Sequence, residues 1–119
     1  MSQTEPVRVG VAGLGRSGWS LHCLTLGEMP EKYRLVAIAD PDAGRQEEAK
    51  SRFHCQCYSN YADMVADEDV ELIVVASPSH LHEPFTLDAL RAGKDVLVEK
   101  PFATSLDGAD RMIQVARET

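Results

Sequence analysis

Short uninterrupted apolar runs alternate along this chain with longer stretches of mixed polarity. In runs such as Leu35–Ala39 and Leu72–Ala76 no polar residue separates the apolar ones, which is typical of strands buried on both faces. From these runs we predict five strands, over residues 8–12, 34–39, 55–58, 72–76 and 96–98.

Helices are predicted between the strands, where apolar residues recur at helical spacing. Asp42 is a candidate N-cap, and Gly27 and Gly93 are candidate C′ residues that end helices. Thr104-Ser-Leu-Asp107 resembles a capping box and predicts the start of a last helix. The earlier helices are predicted over residues 17–26, 42–53, 61–66 and 83–92, and the last helix has a predicted apolar face of Leu106, Ala109, Ile113 and Ala116.

The alternation of strands and helices predicts an α/β fold, a doubly wound parallel sheet with helices on both faces. Right-handed crossovers leave few topologies open, and the Rossmann strand order 3-2-1-4-5 fits best. The chain has 119 residues and no internal repeat, low-complexity segment or linker, so we expect a single domain over residues 1–119.

The charge balance argues against some classes of partner. Nineteen acidic residues and twelve basic ones give a net charge of −7, which disfavours nucleic acid and anionic membranes. No apolar run approaches the ~20 residues that span a bilayer, and the N-terminus does not resemble a signal peptide. Three cysteines are few for a disulfide framework, so a cytoplasmic location is expected.

A glycine-rich loop follows the first predicted strand and opens the first predicted helix. Its G-x-G-x-x-G pattern is typical of sites that bind the pyrophosphate of a dinucleotide. Gly13 permits the tight turn, Gly15 leaves room for the pyrophosphate, and Gly18 lets the helix pack on the strand. The predicted cofactor-binding residues of this loop are Gly13, Leu14, Gly15, Arg16, Ser17 and Gly18.

Asp40 ends the second predicted strand, 22 residues after Gly18, close to the spacing of an acid that binds the adenosine ribose. Its charge would repel a 2′-phosphate, so NAD is favoured over NADP. Arg45, which could turn toward a 2′-phosphate, keeps NADP open. An S-adenosylmethionine-dependent methyltransferase is a second interpretation, because its loop and ribose acid look alike.

Two further segments, Ser77–His82 and Glu99–Pro101, follow the fourth and fifth predicted strands. Ligands of a doubly wound sheet bind beyond the carboxyl ends of its strands, so both segments should line the same crevice as the glycine loop. Lys100 is suited there to polarise a carbonyl group or to relay a proton. A solvated lysine, or an ion pair between Lys100 and Glu99, is the alternative.

These segments resemble the N-terminal half of the Gfo/Idh/MocA family of oxidoreductases. The last matching segment, with the pattern Ala-Gly-Lys-x-Val-x-x-Glu-Lys-Pro, is the most diagnostic. Together the matches cover essentially the whole chain after Pro6. They comprise Val9–Gly18, Leu35–Asp42, Val75–His82 and Ala92–Pro101.

The resemblance implies a nicotinamide-dependent oxidoreductase that acts on a sugar, cyclitol or related polyol. It places Lys100 near the nicotinamide, where it would position the substrate hydroxyl or assist proton transfer. Glu99 would hold Lys100 and contact the nicotinamide ribose. Ser77 and Pro78 would pack on the cofactor. His82 would lie at the rim, as a candidate for cofactor binding and for catalysis.

Members of that family continue into a second α/β domain that carries the rest of the substrate pocket, and we expect this domain to be absent from the chain. The chain alone is therefore expected to bind cofactor without turning substrate over. A non-catalytic nucleotide sensor or scaffold is an alternative, which the intact glycine loop and Lys100 disfavour.

Two other features carry separate expectations. Cys55 and Cys57 lack the usual spacing of zinc ligands and have no second ligand pair, so no metal site is expected. The strand over residues 96–98 would be an unpaired sheet edge, which predicts self-association through it or a segment that covers it.

Overall fold

The computed structural model describes residues 5–15, 22–100 and 103–119. Within these ranges five strands form one sheet in the order β3-β2-β1-β4-β5, and every pairing is parallel, as predicted. Their ends differ from the predicted ones by a single residue. The strands are β1 (Val7–Ala12), β2 (Tyr33–Ala39), β3 (Gln56–Tyr58), β4 (Leu72–Val75) and β5 (Asp95–Val98).

Helices follow the strands as expected, although residues 17–21 of the first predicted helix lie outside the described ranges. A 3₁₀ turn over Ser79–Leu81, which the sequence pattern does not reveal, leads directly into the fourth helix. No helix in the described ranges is both long and apolar enough to cross a membrane. The helices are α1 (Leu24–Gly27), α2 (Ala43–Phe53), α3 (Tyr61–Val65), α4 (His82–Arg91) and α5 (Leu106–Glu118).

The central strand β1 marks the point where the order of the sheet reverses. Val11 of β1 pairs with Ile38 of β2 on one side and with Val74 of β4 on the other. The carboxyl ends of β1 and β4 therefore lie side by side and diverge into loops on opposite faces. Such a switch point is where doubly wound sheets form a ligand crevice.

Each face of the sheet carries its own hydrophobic core, because successive residues of a strand point to opposite faces. This double burial explains why the strands read as continuous apolar runs. The core beside α1 and α2 includes Val9, Val11, Ile38, Ala49 and Val74. The core beside α3 and α4 includes Ala12, Met64, Ile73, Val75 and Ala89.

Two helix boundaries form where their local signals predict them. The Asp42 side chain caps α2 by accepting a hydrogen bond from the backbone N–H of Arg45 at 3.0 Å. Gly93 follows the C-cap of α4 and has a φ of +81°, a conformation that other residues rarely adopt.

Two other predicted boundaries are wrong. Gly27 is the last residue of α1 rather than its C′ residue, and a Cβ there would come within 3.0 Å of the Phe53 ring. This glycine therefore serves the close packing of α1 on α2. The N-cap of α5 is Ser105 rather than Thr104, because the Ser105 hydroxyl accepts the Gly108 N–H at 3.0 Å.

The predicted apolar face of α5 is also wrong. Leu106, the first residue of that face, is 81% exposed. The contact with α4 decides the orientation, because Gly108 lies so close to the Glu83 carboxylate that a Cβ would meet it at 2.5 Å. The buried residues of α5 are Gly108, Met112 and Val115.

Candidate functional site

The loops at the carboxyl edge of the sheet are held by backbone hydrogen bonds that continue beyond the strands. Gly13 N donates to the Ala39 carbonyl at 2.8 Å and fixes the start of the loop after β1. Glu99 N donates to the Val75 carbonyl at 3.0 Å and fixes the residue that follows β5. These backbone hydrogen bonds therefore fix the first residues of the loops that carry the predicted site residues.

A cleft of about 610 Å³ lies at this edge. Its walls come from the ends of β1, β2 and β4 and from the segments that begin α3 and α4. Five predicted cofactor-binding residues share this one cavity, and they are Gly13, Asp40, Arg45, Ser77 and Pro78.

A larger cleft of about 830 Å³ lies elsewhere, where β2 and β3 begin. Its lining includes Tyr33, Arg34, His54 and Gln56. Among the residues that the structure describes, none of those predicted to bind the cofactor or to act in catalysis lines it. The smaller cleft is therefore the candidate site, since chemistry rather than volume distinguishes the two.

Gly13 and Gly15 are glycines for different physical reasons. Gly13 has a φ of +92°, and a Cβ there would lie 2.7 Å from the Cα of Ser77, so only glycine fits between β1 and β4. A Cβ on Gly15 would meet no described atom within 4 Å. The described residues therefore leave open the space beside Gly15, and a phosphate group needs such space to approach the backbone.

Asp40 is buried between the glycine loop and the start of α2. The residue is 4% exposed, and its Oδ2 accepts the Leu14 N–H at 2.8 Å. Its Oδ1 accepts the Asp42 N–H at 2.8 Å. Arg45 Nη1 lies 3.6 Å from Asp40 Oδ2, with the Arg45 side chain 50% exposed at the mouth of the cleft.

The opposite wall is formed by Ser77 and Pro78. Ser77 is 9% exposed, and its hydroxyl is buried with no hydrogen-bond partner among the described residues. A buried hydroxyl without a partner is unfavourable, so a polar ligand in the cleft would stabilise it.

His82 lies beneath this wall rather than at the rim, which corrects the expected position. It is 2% exposed, and its Nε2 is 2.8 Å from the Ser77 carbonyl. Because a carbonyl can only accept a hydrogen bond, Nε2 carries the proton. The imidazole is thus placed to hold the Ser77–Pro78 segment.

Glu99 and Lys100 lie beyond the end of β5 and do not line the 610 Å³ cleft. Glu99 Oε1 is 3.4 Å from His22 Nε2, a partner that the sequence reasoning did not foresee. The Lys100 side chain is exposed, and the expected ion pair between Glu99 and Lys100 does not form in the described structure.

A family comparison agrees with this geometry. The model of the Gfo/Idh/MocA oxidoreductase family, described as an NAD-binding Rossmann fold, matches residues 7–119. The chain belongs to this family.

Individual Gfo/Idh/MocA relatives match nearly all of the chain. The inositol 2-dehydrogenase of Rubrobacter xylanophilus is 35% identical over 115 residues, which cover 97% of this chain and 33% of that protein. The dTDP-3,4-didehydro-2,6-dideoxy-alpha-D-glucose 3-reductase of Actinomadura kijaniata is 34% identical over 117 residues, 98% of this chain and 35% of that protein. The chain thus spans about a third of the length of these curated relatives.

Solved structures show the same fold. The WlbA dehydrogenase from Bordetella pertussis, in complex with NADH and UDP-GlcNAcA, superposes with a TM-score of 0.90 at 28% identity, over 96% of this chain and 34% of that chain. A 3-ketoreductase from Actinomadura kijaniata, in complex with NADP, superposes with a TM-score of 0.87 at 35% identity, over 95% of this chain and 36% of that chain.

Sequence reasoning missed one wall of the cleft in this Gfo/Idh/MocA chain. The rings of Tyr61 and Phe85 are stacked, with centroids 3.8 Å apart and planes 11° apart. The Tyr61 hydroxyl donates to the Phe85 carbonyl at 2.6 Å, and burial raises the pKa of this hydroxyl. The signal available was position alone, since Tyr61 is the first residue of α3 and Phe85 lies in the first turn of α4.

Four predicted site or motif residues fall outside the described ranges, and they are Arg16, Ser17, Gly18 and Pro101. Their assignments rest on the sequence.

Two of the three cysteines, Cys23 and Cys55, are buried thiols. Burial raises the pKa of Cys23 and that of Cys55 to about 12. Cys57 is half-buried, and its Sγ donates to the Gln46 carbonyl at 3.3 Å. Such thiols stay protonated near neutral pH. Within the described ranges no group of three or more His, Cys, Asp or Glu side chains could hold a metal ion.

Proposed function

We propose that this chain binds the nicotinamide dinucleotide of an oxidoreductase that acts on a hydroxyl-bearing carbon of a sugar, cyclitol or related polyol. The observation that carries the proposal is the convergence of five predicted cofactor-binding residues on one cleft at the switch point of the sheet. Relatives with inositol or a nucleotide sugar in their names support the substrate class.

The residues present fit such a cofactor. The space beside Gly15 would admit a pyrophosphate, and the hydroxyl of Ser77 would gain a partner. Asp40 and Arg45 would face the adenosine ribose, where the carboxylate favours NAD and the guanidinium leaves NADP possible. The assignment of Arg16, Ser17 and Gly18 to the cofactor-binding loop rests on the sequence alone. Leu14 is buried at 4% exposure and contributes its N–H to the loop.

We assign the chemical step to Glu99 and Lys100, which follow β5 and lie outside the 610 Å³ cleft. The nicotinamide would supply or accept the hydride. Lys100 Nζ would donate a hydrogen bond to the oxygen on the reacting carbon and move a proton to or from that oxygen. Glu99 would contact the nicotinamide ribose, and His82 would act by holding the Ser77 carbonyl.

Gly15→Ala tests the cofactor site without disturbing the fold. Because the new Cβ meets no described atom within 4 Å, we expect the free energy of unfolding to change by less than about 1 kcal/mol. The same methyl group would occupy the space that the pyrophosphate needs. Affinity for NADH and NADPH, measured by isothermal titration calorimetry, should fall at least tenfold.

The control is Gly93→Ala, which changes a glycine outside the cleft and should leave cofactor affinity intact. A folded Gly15→Ala chain that binds as tightly as the unmodified one would contradict the proposal. S-adenosylmethionine serves as the competing ligand in the same titration. Its binding in preference to both dinucleotides would favour the methyltransferase interpretation. A non-catalytic sensor would bind NADH or NADPH in the same way as an oxidoreductase and would differ from it only in lacking turnover.

We also propose that the chain associates with itself through β5. This strand ends the sheet order, and Leu97 on it is 48% exposed. An edge strand with exposed apolar side chains favours pairing with another strand. Sedimentation equilibrium should show a mass that rises with concentration, and Leu97→Lys should weaken this rise.

A further inference from the structure

We propose that His22 is a positioning residue, which holds the Glu99 carboxylate in place for the ribose next to the nicotinamide. The inference rests on the proposed function, in which Glu99 contacts that ribose. It adds to the site a histidine for which the sequence predicted no role.

The His22 ring has one nitrogen enclosed by the protein. Its side chain is 15% exposed, and Nε2 is buried with no hydrogen-bond partner among the described residues. A buried polar atom without a partner is unfavourable. Glu99 Oε1 lies 3.4 Å from this nitrogen, slightly farther than in an ordinary hydrogen bond. A shift of ~0.5 Å would therefore complete the bond and give the nitrogen a partner.

The two side chains come from separate elements of the fold. Glu99 follows β5, and its backbone N–H donates to the Val75 carbonyl at 3.0 Å, so the ladder of the sheet extends to this residue. Val98 packs on the core beside α3 and α4, so the next side chain, that of Glu99, points to the opposite face. Cys23, which adjoins His22 in the chain, belongs to the core of that opposite face. Both partners therefore lie on the same side of the sheet.

The contact restrains a carboxylate at the edge of the sheet. The Glu99 side chain is 24% exposed, and a bond to one oxygen would orient it before the cofactor arrives. Less side-chain entropy is then lost on binding. A carboxylate accepts about four hydrogen bonds, so a bond from His22 leaves capacity for both ribose hydroxyls. Because an ionised carboxylate can only accept, Nε2 carries the proton of this bond.

Titration calorimetry with three ligands separates positioning from a general structural role. ADP lacks the nicotinamide ribose, and ADP-ribose contains this ribose without the nicotinamide. His22→Ala should weaken binding of NADH and ADP-ribose about tenfold and leave ADP affinity within about threefold. His22→Gln, whose side-chain amide can donate from a similar position, should restore most of the loss. Equal weakening of all three ligands, or no weakening of any, would overturn the inference.

A double-mutant cycle measures whether His22 acts through Glu99. Glu99→Ala should itself weaken ADP-ribose binding, and adding His22→Ala should then cause little further loss. Losses that simply add would show that His22 acts independently of Glu99, which contradicts the inference. The control is Asp95→Asn, which alters an exposed carboxylate at the opposite end of β5 and should leave all three affinities unchanged.

The ring resonances of His22 in the cofactor-free chain test the contact separately. In nitrogen-15 NMR spectra, Glu99→Gln should shift the Nε2 resonance of His22, whereas Asp95→Asn should not. An unchanged resonance in Glu99→Gln overturns the inference without any ligand. If the unmodified chain binds none of the three ligands, the proposed function fails and the positioning role fails with it, while the spectra still decide whether His22 contacts Glu99.

Discussion

Two groups of proposed site residues are built into the fold differently, and we name them the ribose end and the nicotinamide end after the parts of the cofactor that each is proposed to bind. At the ribose end, Gly13 fits against the backbone of Ser77, and Asp40 is buried with both carboxylate oxygens bonded to backbone N–H groups. At the nicotinamide end, Lys100 is exposed and Glu99 contacts His22 at 3.4 Å. One end is part of the packed fold, and the other is attached to its edge.

This difference indicates that substitutions of cofactor-binding residues and of residues in the chemical step should affect the protein in different ways. A residue that shapes the ribose end also holds the fold together, so its substitution lowers stability and affinity together. A residue at the nicotinamide end is free of that constraint, so its substitution should affect cofactor binding or chemistry and leave stability nearly unchanged. Rigid elements commonly present reactive groups on loops in this manner.

Gly13→Ala should give the largest effect on stability. The new Cβ would lie 2.7 Å from Ser77 Cα, and the φ of +92° adds strain, so we expect a loss of roughly 3 kcal/mol or more. Gly93→Ala shares the positive φ but meets no described atom within 4 Å, so it should cost only about 1–2 kcal/mol. Urea unfolding of both variants measures the difference, and equal losses would show that close packing at Gly13 is unimportant.

His82→Ala should give the next largest effect, because the residue is 2% exposed and supports the wall of the cleft. Loss of its bulk and of the bond to the Ser77 carbonyl should cost about 2–4 kcal/mol. Its exposed neighbour His80 is the control, and His80→Ala should change stability by less than about 0.5 kcal/mol. A silent His82→Ala would mean that Ser77 and Pro78 hold their positions unaided.

Most of the fold could be predicted because its signals are local. The run Leu35–Ala39, the cap Asp42 and the terminator Gly93 each depend on a few adjacent residues, and each is confirmed. The burial of Gly108 and of His82 could not be predicted in this way. It depends on the approach of α5 to Glu83 and on the Ser77 carbonyl, which are tertiary contacts.

The candidate site shows the same limit. The position of Asp40 at the end of β2 is readable from the sequence, and the cleft confirms that it lies beside Gly13. Both carboxylate oxygens of Asp40 accept hydrogen bonds from backbone N–H groups. These bonds depend on the backbone path of the loop, which cannot be derived from the spacing of residues in the motif. Likewise, the contact between Glu99 and His22 joins elements far apart in the chain.

Glu83→Gln tests how much the ion pair between Glu83 of α4 and Arg111 of α5 contributes to stability. Arg111 Nε and Nη2 donate to the two oxygens of Glu83, the second at 3.0 Å, and this pairing lowers the pKa of the Glu83 carboxyl from its usual value of 4.5. Because the pKa of Glu83 is lower in the folded protein than in the unfolded chain, the ion pair stabilises the protein at pH values above 4.5. This stabilisation is lost as the pH falls through the pKa of the folded state.

The melting temperature of Glu83→Gln should therefore lie slightly below that of the unmodified chain at pH 7, and the difference should shrink as the pH falls below 4.5 and vanish below the folded pKa of Glu83. The effect is small because the Arg111 side chain is exposed to solvent. A difference that persisted unchanged at pH 3 would show that the amide disturbs packing against Gly108 rather than the ion pair.

The smallest expected effect on stability belongs to Lys100, and a second lysine of the same motif provides the contrast. Lys94 Nζ donates to the carbonyls of Asp67 at 2.8 Å and Val70 at 2.7 Å, so Lys94→Met should cost about 2–3 kcal/mol. Lys100→Met should change the free energy of unfolding by less than about 0.5 kcal/mol and leave NADH affinity within threefold. A loss comparable to that of Lys94→Met would mean that Lys100 holds the fold. A structural role would then be enough to explain the lysine at position 100. The contrast between the ribose end and the nicotinamide end would disappear.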